Sequence, residues 1–207
     1  MKDLLLEQSF YRRSAMELAP ALLGQLLVVG QGDGRVVARI VETEAYCGLD
    51  DKGNHAYNGR RSPKNESMYL GPGHAYVYKC YGVHDMFNVV SGVEGHGEAV
   101  LIRAVEPVEG IDLMMASRSI HSRDYRLTGG PGKVCAAMGI RKEHDKLELF
   151  DFQSPVRILT GGFEEEVYTG PRVGMSKYVG ECANWSRRFY LKGNKYVSRP
   201  LHVWYNF

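Results

Sequence analysis

The strongest constraint on the fold is the way in which short β-type segments follow one another in adjacent pairs. Residues 26–30 and 35–46 form one pair, and the glycine-rich sequence between them predicts a turn. Residues 74–80 and 83–91 form a second pair, which turns at residues 81–82. Strands joined by short turns run antiparallel, whereas parallel strands need long crossover connections. The pattern therefore predicts a mixed α/β fold around antiparallel strand pairs rather than alternating βαβ units.

Helical signals flank these strands. The sequence SAME at residues 14–17 has the spacing of a capping box, which predicts a short helix that ends before Gly24. Two more helices are predicted, one over residues 108–117 and one from the glycine-rich turn at 129–132 to Gly139. Single strands are also expected at residues 99–105, 156–159 and 189–191.

One segment of the chain shows no periodicity. Residues 47–73 are rich in glycine, proline, asparagine and charge, and an irregular loop of this length in a compact domain is usually functional. No linker, repeat or low-complexity segment divides the 207 residues. At about 150 residues per domain, this length predicts a single domain over residues 1–207.

The sequence also limits the environment in which the protein works. The longest apolar stretch, residues 21–29, is interrupted at Gly24 and is shorter than the ~20 residues of a membrane span. The N-terminal segment has Asp3 and Glu7 where a signal peptide would need a basic flank. The four cysteines form no CxxC motif, so neither a zinc site nor a disulfide framework is expected. We therefore predict a cytoplasmic protein with no membrane partner and no metal ion.

Basic residues are concentrated in two blocks of a chain whose formal net charge is only +2. Residues 117–146 contain seven lysines and arginines against three acids, and residues 172–199 contain seven against Glu181 alone. Two such blocks favour one positive face, and such a face usually binds a polyanion. The alternative is a solvated surface whose counter-charges lie elsewhere.

The sequence GGPGK at residues 129–133 resembles a phosphate-binding loop but departs from its pattern twice. Leu127 stands where the first glycine belongs, and Val134 follows the lysine where a serine or threonine would bind magnesium. A nucleoside triphosphatase is therefore not expected. A glycine turn before a helix N-terminus still suits one backbone phosphate, and a tight loop before a core helix is an equal alternative.

The sequence ETEAY at residues 42–46 points most directly to chemistry. Alternate residues of a strand share a face, so Glu42, Glu44 and Tyr46 project to the same side. By itself this pattern also fits a strand at the wet edge of a sheet. His55 follows in the long loop, and a carboxylate, a phenol and an imidazole at the end of a strand can bind a ring and activate water.

Tyrosines are dense in the second strand pair. Tyr76 and Tyr78 share one strand face, and packing in the core explains Tyr76 well. Core packing explains Tyr81 poorly, because a tyrosine beside a turn glycine is badly placed for burial. An exposed ring near basic residues is typical of base stacking or of intercalation into a duplex.

Taken together, these motifs resemble the alkyladenine (3-methylpurine) DNA glycosylase family. The residues that carry the resemblance are RIVETEAY at 39–46, His55, YVYKCYG at 76–82, Asn88, LIRAVEP at 101–107, LTGGPGK at 127–133, PRVG at 171–174 and residues 185–189. They occur in order over nearly the whole chain, which looks like a compact bacterial-type member. The resemblance implies a mixed α/β (α+β) single domain around a curved antiparallel sheet, with flanking helices and a protruding β-hairpin.

The implied activity is monofunctional hydrolysis of the N-glycosidic bond of alkylated or deaminated purines, which leaves an abasic site. Substrates of this class are 3-methyladenine, 7-methylguanine, hypoxanthine and ethenoadenine. A base inside a duplex is out of reach, so the nucleotide must be flipped out of double-stranded DNA. The resemblance implies no cofactor, and we expect a monomer whose partner is DNA that contains damaged purines.

The resemblance also assigns catalytic roles. Glu44 matches the general base, because a carboxylate can activate water and stabilise the positive charge that develops on the sugar. Arg103 and the backbone of Val173 match the groups that hold Glu44 and the water. Glu42 matches no catalytic role and is interpreted as structural.

The remaining assignments concern the flipped base and the DNA. The residues that match the base pocket are Tyr46, His55, Tyr78 and Asn88. Asn88 would exclude the 2-amino group of guanine, and the alternative is an asparagine that only bonds a neighbouring backbone group. Tyr81 would intercalate in place of the flipped nucleotide. Contacts with the DNA backbone are expected from His84, Lys133, Arg172 and Lys177.

Two other functions remain open at this point. A non-catalytic nucleic-acid-binding module of the same fold, such as one resembling the C-terminal domain of formyltransferases, would need the basic face but not Glu44, Arg103 and Asn88. A carbohydrate-active hydrolase could use Glu42 and Glu44 as its two acids. Both acids would then act from one side, and the basic blocks would have no explanation.

Overall fold

The computed structural model describes residues 4–175 and 177–199, apart from the side chain of Lys177. Its strands are β1 (Leu26–Val29), β2 (Val36–Tyr46), β3 (Ala75–Cys80), β4 (His84–Ser91), β5 (Glu98–Glu109), β6 (Val156–Leu159), β7 (Val167–Gly170) and β8 (Arg188–Leu191). Its α-helices are α1 (Gln8–Tyr11), α2 (Ala15–Ala21), α3 (Ile111–Arg118), α4 (Tyr125–Thr128) and α5 (Pro131–Met138). Short 3₁₀ turns span Gly32–Gly34, Gly48–Asp50, Tyr57–Gly59, Glu66–Tyr69, Lys142–His144 and Lys177–Asn184.

These strands form one antiparallel sheet. The hydrogen-bonded order of its main path is β3-β4-β5-β2-β1-β6. β8 pairs with β2 beyond the end of β1, and β7 extends the sheet from β8. The fold is therefore mixed α/β with antiparallel neighbours, and it confirms the class predicted from the adjacent strand pairs.

β2 is the central strand of the sheet. One of its edges pairs with β5, and the other pairs first with β1 and then, over residues 42–44, with β8. The strand is hydrogen-bonded on both edges at this point, so it lies inside the sheet, and the side chains of Glu42 and Glu44 are completely buried. The interpretation of this stretch as a wet edge strand is wrong.

The register of the sheet aligns side chains from four strands in one row. Glu44 is opposite Leu101 of β5, Leu101 is opposite Asn88 of β4, and Asn88 is opposite Tyr76 of β3. Residues directly opposite each other in antiparallel strands project to the same face. The sheet thus brings Glu44, Asn88 and Tyr76 to one face, with the outer two separated by three strand spacings, or about 14 Å.

The other face of the sheet is covered by helix. Thr43 projects away from Glu44, and its hydroxyl donates to the carbonyl oxygen of Ala19 in α2 (2.8 Å). α2 begins with the predicted capping box, in which the side chains of Ser14 and Glu17 each accept from the other's backbone N–H. On the face that carries Glu44, the contacts come instead from loop residues such as Val173 and Ser198.

Several elements differ from the sequence-based expectations, among them β5, α3 and β7. β5 continues to Glu109, so α3 begins at Ile111 rather than at residue 108, after Gly110 turns the chain with a φ of 72°. β7 was not predicted, because this short edge strand is largely exposed and its sequence shows no alternation. The irregular character of residues 47–73 is confirmed, since the segment contains only single 3₁₀ turns.

β3 and β4 form the predicted hairpin. Tyr81 and Gly82 at its tip both have positive φ, 51° and 72°, which is the type I′ geometry that matches the twist of the flanking strands. The N–H of Val83 closes the turn on the carbonyl oxygen of Cys80 (3.1 Å). The side chain of Tyr81 projects into solvent and is 95% exposed.

Candidate active site

Two carboxylates meet one guanidinium on the face of β2 that lies opposite α2. Arg103 of β5 has its Nε 3.2 Å from Glu42 Oε1 and its Nη1 3.4 Å from Glu44 Oε1. Register shifts between β2 and β5 occur opposite Arg103, and such irregularities re-aim side chains near functional sites. Burial disfavours the charged guanidinium, but Glu44 and Glu42 outweigh this effect and raise the pKa of Arg103. Arg103 is therefore held as a cation beside both carboxylates.

The carboxylate of Glu44 is fixed on three sides. The backbone N–H of Val173 donates to Oε1 (2.8 Å), the hydroxyl of Tyr46 donates to Oε2 (3.0 Å), and Arg103 supplies the ion pair. Burial, followed by the charge of Glu44, raises the pKa of Tyr46 well above its usual value. Tyr46 therefore stays protonated and acts as a donor.

Glu42 has a different set of partners. Its carboxylate accepts from Nε of Arg188 (2.6 Å) and from both the backbone N–H (2.8 Å) and the hydroxyl (2.9 Å) of Ser198. It also lies beside Arg103. The carboxylate of Glu42 thus holds Arg103, Arg188 and the backbone at Ser198 in place, which fits a structural role.

A cavity of about 130 Å³ opens on the same face. We call it the aromatic pocket; it is lined by Tyr46, Gly53, Asn54, His55, Met68, Tyr76, Tyr78, Asn88 and Met175. An engineered cavity of about 150 Å³ takes up one benzene molecule, so this pocket has the size class of a small ring system. The structure brings together in one wall all four residues expected around the base, Tyr46, His55, Tyr78 and Asn88.

His55 is held by two tyrosines at the mouth of the aromatic pocket. Its Nδ1 lies 2.8 Å from the hydroxyl of Tyr76, and its ring meets the ring of Tyr78 edge-on at 4.6 Å between centroids. Tyr76 and Tyr78 stack on each other at 5.3 Å. His55 keeps exposed surface, and partial desolvation of its ring, followed by the charge of Arg60, lowers its pKa. The imidazole is therefore kept neutral near pH 7, with Nε2 as its remaining polar atom.

Asn88 bonds neighbouring backbone groups and also lines the aromatic pocket. Its side-chain nitrogen donates to the backbone carbonyl oxygens of Tyr76 (3.1 Å) and Met86 (3.3 Å), so the side chain does bond its neighbours. It also lines the aromatic pocket and is only 3% exposed. With the nitrogen engaged, the side chain contributes its bulk and its carbonyl oxygen to the pocket wall.

A larger cavity of about 730 Å³ leads from the aromatic pocket to the tip of the hairpin. We call it the hairpin groove, and it shares His55, Tyr76 and Tyr78 with the pocket. Its basic lining residues are Arg60, Lys64, Lys79 and Lys142. Tyr81 stands at the far end, so one continuous surface connects the exposed ring with the pocket.

The residues expected to contact the DNA backbone differ in how exposed their side chains are. His84 is exposed at the start of β4, close to Gly132 in the first turn of α5. Lys133 is half-buried, with Nζ 3.4 Å from the carbonyl oxygen of Tyr125, and burial followed by Arg118 lowers its pKa. The side chain of Lys177 lies outside the described residues.

Arg172 was wrongly interpreted as a phosphate contact. Its side chain is completely buried, and its two terminal nitrogens donate to the two carboxylate oxygens of Asp51. Arg188 of the same basic block is buried against Glu42. A phosphate cannot reach these two guanidinium groups, so neither of them contributes to a positive face.

Several lining residues of the aromatic pocket were not predicted from the sequence. Asn54 donates from its side chain to the carbonyl oxygens of Gly48 (3.2 Å) and Gly97 (2.9 Å), which ties the long loop to the start of β5. Met68 and Met175 supply flexible, polarisable walls. In the sequence, only the adjacent His55 could have indicated that Asn54 lines the pocket. Nothing in the sequence around Met68 or Met175 indicated that they do.

Within residues 4–175 and 177–199, no group of three or more His, Cys, Asp or Glu side chains is placed to hold a metal ion. Over those same ranges, none of the helices has the length and apolar character needed to cross a membrane. The four cysteines carry free thiols.

The geometry defines what this face can do chemically. A carboxylate whose orientation is fixed by an amide, a phenol and a cation can accept a proton from a water molecule. The adjoining pocket can enclose a planar ring between aromatic side chains. The groove adds positive charge beside an exposed ring, a combination suited to a nucleic-acid strand.

Comparison with known proteins agrees with these features. The family model described as methylpurine-DNA glycosylase matches residues 9–195 of the chain. A relative from Clostridium acetobutylicum, named "Putative 3-methyladenine DNA glycosylase", is 43% identical over 200 residues, which cover 92% of this chain and 96% of the relative. Relatives of the same name come from Anaeromyxobacter dehalogenans, with 45% identity over 94% of this chain and 87% of its own, and from Bacillus subtilis, with 40% identity over 92% and 95%.

The matched span is long enough to decide the family. It contains Glu44, Arg103, Val173 and every residue of the aromatic pocket. The identities also extend over nearly the full length of both partners in each comparison. The chain belongs to the methylpurine-DNA glycosylase family.

Proposed function

We propose that the protein is a base-excision-repair enzyme that hydrolyses the N-glycosidic bond of alkylated or deaminated purines in double-stranded DNA. The observation that carries this proposal is the carboxylate of Glu44, held by Val173, Tyr46 and Arg103 next to the aromatic pocket. The names of the relatives support the same class of substrate. The bases in question are 3-methyladenine, 7-methylguanine, hypoxanthine and ethenoadenine.

Binding requires that the damaged nucleotide leave the duplex. A purine in the stack cannot approach Glu44, which has no exposed surface, so the nucleotide rotates into the aromatic pocket. Tyr81 takes its place between the neighbouring base pairs, and the hairpin groove receives the DNA strand. Lesions that weaken pairing or stacking cost less to flip, which gives a first level of selectivity.

The chemical step is a displacement at the sugar. Glu44 accepts a proton from water as the water oxygen forms a bond to C1′ and the bond from C1′ to the purine nitrogen breaks. The base leaves with the electron pair of that bond, so a cationic N-methylated purine departs as a neutral molecule. The carboxylate also stabilises the oxocarbenium-like charge on the sugar in the transition state.

Strand cleavage after alkali tests this function. Duplex oligonucleotides that contain one hypoxanthine or one ethenoadenine are incubated with the protein and then heated in alkali, which breaks the chain at abasic sites. We expect cleavage only after alkali, as for a monofunctional enzyme, and the same yield with EDTA. Cleavage without alkali would contradict the monofunctional mechanism, and binding with no abasic sites would indicate a non-catalytic module.

Selectivity against guanine is expected to depend on Asn88. Hypoxanthine and guanine differ only in the 2-amino group, so a pocket that accepts the first must exclude the second at that position. Asn88→Ser removes bulk from a nearly closed wall and should permit slow excision of guanine from G·T mismatches, where flipping costs little. Hypoxanthine excision should stay equal or fall. Release of guanine from a G·T duplex is measured under single-turnover conditions.

The matched control for this experiment is Met68→Leu, which changes another lining residue at nearly constant volume. This variant should leave the ratio of guanine to hypoxanthine excision unchanged. Equal guanine release by wild type and Asn88→Ser, with hypoxanthine excision intact, would show that Asn88 does not exclude guanine.

Non-specific DNA binding should be strongly salt-dependent. Phosphate-dominated binding loses affinity steeply between about 50 and 200 mM salt, with a log–log slope that reflects the number of phosphates contacted. Arg60 lines the hairpin groove, whereas its neighbour Arg61 is paired with Glu66. Arg60→Ala should therefore reduce the slope by about one unit and Arg61→Ala by less. A flat plot for the wild-type protein would contradict phosphate-dominated binding.

We also propose that the chain acts as a monomer and as a single domain over residues 1–207. Every group assigned above to the base, the water and the duplex comes from the same chain. Sedimentation of the protein with a lesion duplex should give one protein chain per duplex. A complex with two chains on one lesion would contradict this stoichiometry.

A further inference from the structure

Behind the aromatic pocket lies a buried ion pair that none of the assigned roles explains. Arg172 and Asp51 are 121 positions apart in the sequence, and both side chains have no exposed surface. Two nitrogens of the guanidinium donate to the two oxygens of the carboxylate, Nη1 at 2.5 Å and Nη2 at 2.7 Å. Such a bidentate pair fixes the position and also the plane of the guanidinium.

The same guanidinium is connected to two of the groups that hold Glu44. Its Cζ lies 4.6 Å from the centroid of the Tyr46 ring, and its Nη1 also donates to the carbonyl oxygen of Ala45 (3.1 Å). Arg172 directly precedes Val173, whose backbone N–H donates to Glu44. Tyr46 and Val173 supply the two hydrogen bonds that the Glu44 carboxylate accepts from the part of the chain that the structure describes.

We infer that Arg172, anchored by Asp51, is a positioning residue for base excision. By fixing the ring of Tyr46 and the amide of Val173 together, it sets the orientation of the carboxylate that activates water. It touches neither the base nor the water and acts through those two donors. This inference rests on the proposed glycosylase function and deepens it.

Stability alone is a weak reason for such a pair. Desolvation of two buried charges offsets much of their attraction, and apolar replacements are often as stable. Burial opposes the charged forms here, but each partner outweighs it: Arg172 lowers the pKa of Asp51, and Asp51 raises the pKa of Arg172. Asp51 also has a second cation, Arg187, with Nη1 2.8 Å from Oδ2. Replacing Arg172 therefore does not leave the carboxylate of Asp51 unpaired.

The test is the variant Arg172→Lys, which keeps the charge but loses the planar fork and the stack on Tyr46. We expect its maximal single-turnover rate on hypoxanthine DNA to fall about 10- to 100-fold, the usual loss when a supporting residue is removed. Its dissociation constant for the same duplex should stay within about threefold of wild type, because the contacts of the groove and of Tyr81 are unchanged. Arg39→Lys is the matched control, since Arg39 also binds two carboxylates, Glu106 and Glu165, but away from the site.

The melting temperature of each variant is measured in parallel, and Asp51→Asn serves as a second variant that weakens the anchor from the other side. A rate for folded Arg172→Lys within twofold of wild type would overturn the inference. So would a parallel loss of rate, affinity and melting temperature, or loss of folding in both variants, because the pair would then be structural. A wild-type protein that excises no lesion would instead refute the proposed function.

Discussion

Glu44→Gln is expected to reduce single-turnover excision of hypoxanthine to no more than a few per cent of the wild-type rate. The amide keeps the shape of the side chain and one acceptor for the N–H of Val173, but it cannot take a proton from water. Loss of general-base catalysis costs roughly 10²- to 10⁴-fold. The variant should still fold and bind lesion DNA, because Arg103 retains Glu42 as its partner.

The control for this prediction lies two residues away on the same strand. Glu42→Gln removes an equally buried carboxylate that contacts Arg103 but neither Val173 nor Tyr46. It should lower the melting temperature, since Arg188 loses its partner, and it should retain measurable excision. If Glu42→Gln were inactive while folded and Glu44→Gln remained active, Glu42 rather than Glu44 would be the general base.

Tyr81→Ser should give the second large effect, on the flipping of the base. The ring is 95% exposed at the tip of the hairpin, so its removal leaves the fold unchanged and takes away the group that fills the stack. Stacking of one base on an aromatic side chain contributes about 1–3 kcal/mol. Lesion binding and excision should therefore both fall about tenfold or more.

The fluorescence of ethenoadenine in a duplex reports this equilibrium directly, because unstacking changes its emission. Phe152→Ser provides the control, since Phe152 is a similarly exposed ring (77%) that does not line the hairpin groove. It should leave the fluorescence change unaltered. A Tyr81→Ser protein that unstacks ethenoadenine as well as the wild type does would refute the intercalation by Tyr81.

Local patterns in the sequence predicted a large part of this molecule. The capping box at residues 14–17, the hairpin turn at residues 81–82 and the long loop at residues 47–73 each depend on neighbouring residues alone. The alternation of Glu42, Glu44 and Tyr46 likewise predicted that these side chains share a face, and the bond between Tyr46 and Glu44 confirms it. The assignment of Arg103 and Val173 needed the family resemblance.

Long-range pairing was beyond the reach of these patterns. The second edge of β2 pairs with β8, which lies more than a hundred residues later, and the two buried carboxylates contact equally distant residues such as Val173 and Ser198. Arg172 was taken for a surface cation because its charge is visible in the sequence, whereas its partner Asp51 lies in the irregular loop. The sequence of a basic block gives the number of its charges but not which of the basic side chains are exposed. The buried carboxylates determine which of them reach the surface.

Direct detection of the released base tests whether the protein hydrolyses the N-glycosidic bond and whether Glu44 is required for this reaction. A duplex with a single ethenoadenine and an otherwise identical undamaged duplex are incubated with excess wild-type protein, and small molecules are identified by mass spectrometry. We expect one intact ethenoadenine base per lesion duplex, no normal base from the control, and no release by Glu44→Gln. Tight binding of the lesion duplex without a free base, or equal release by Glu44→Gln, would contradict it.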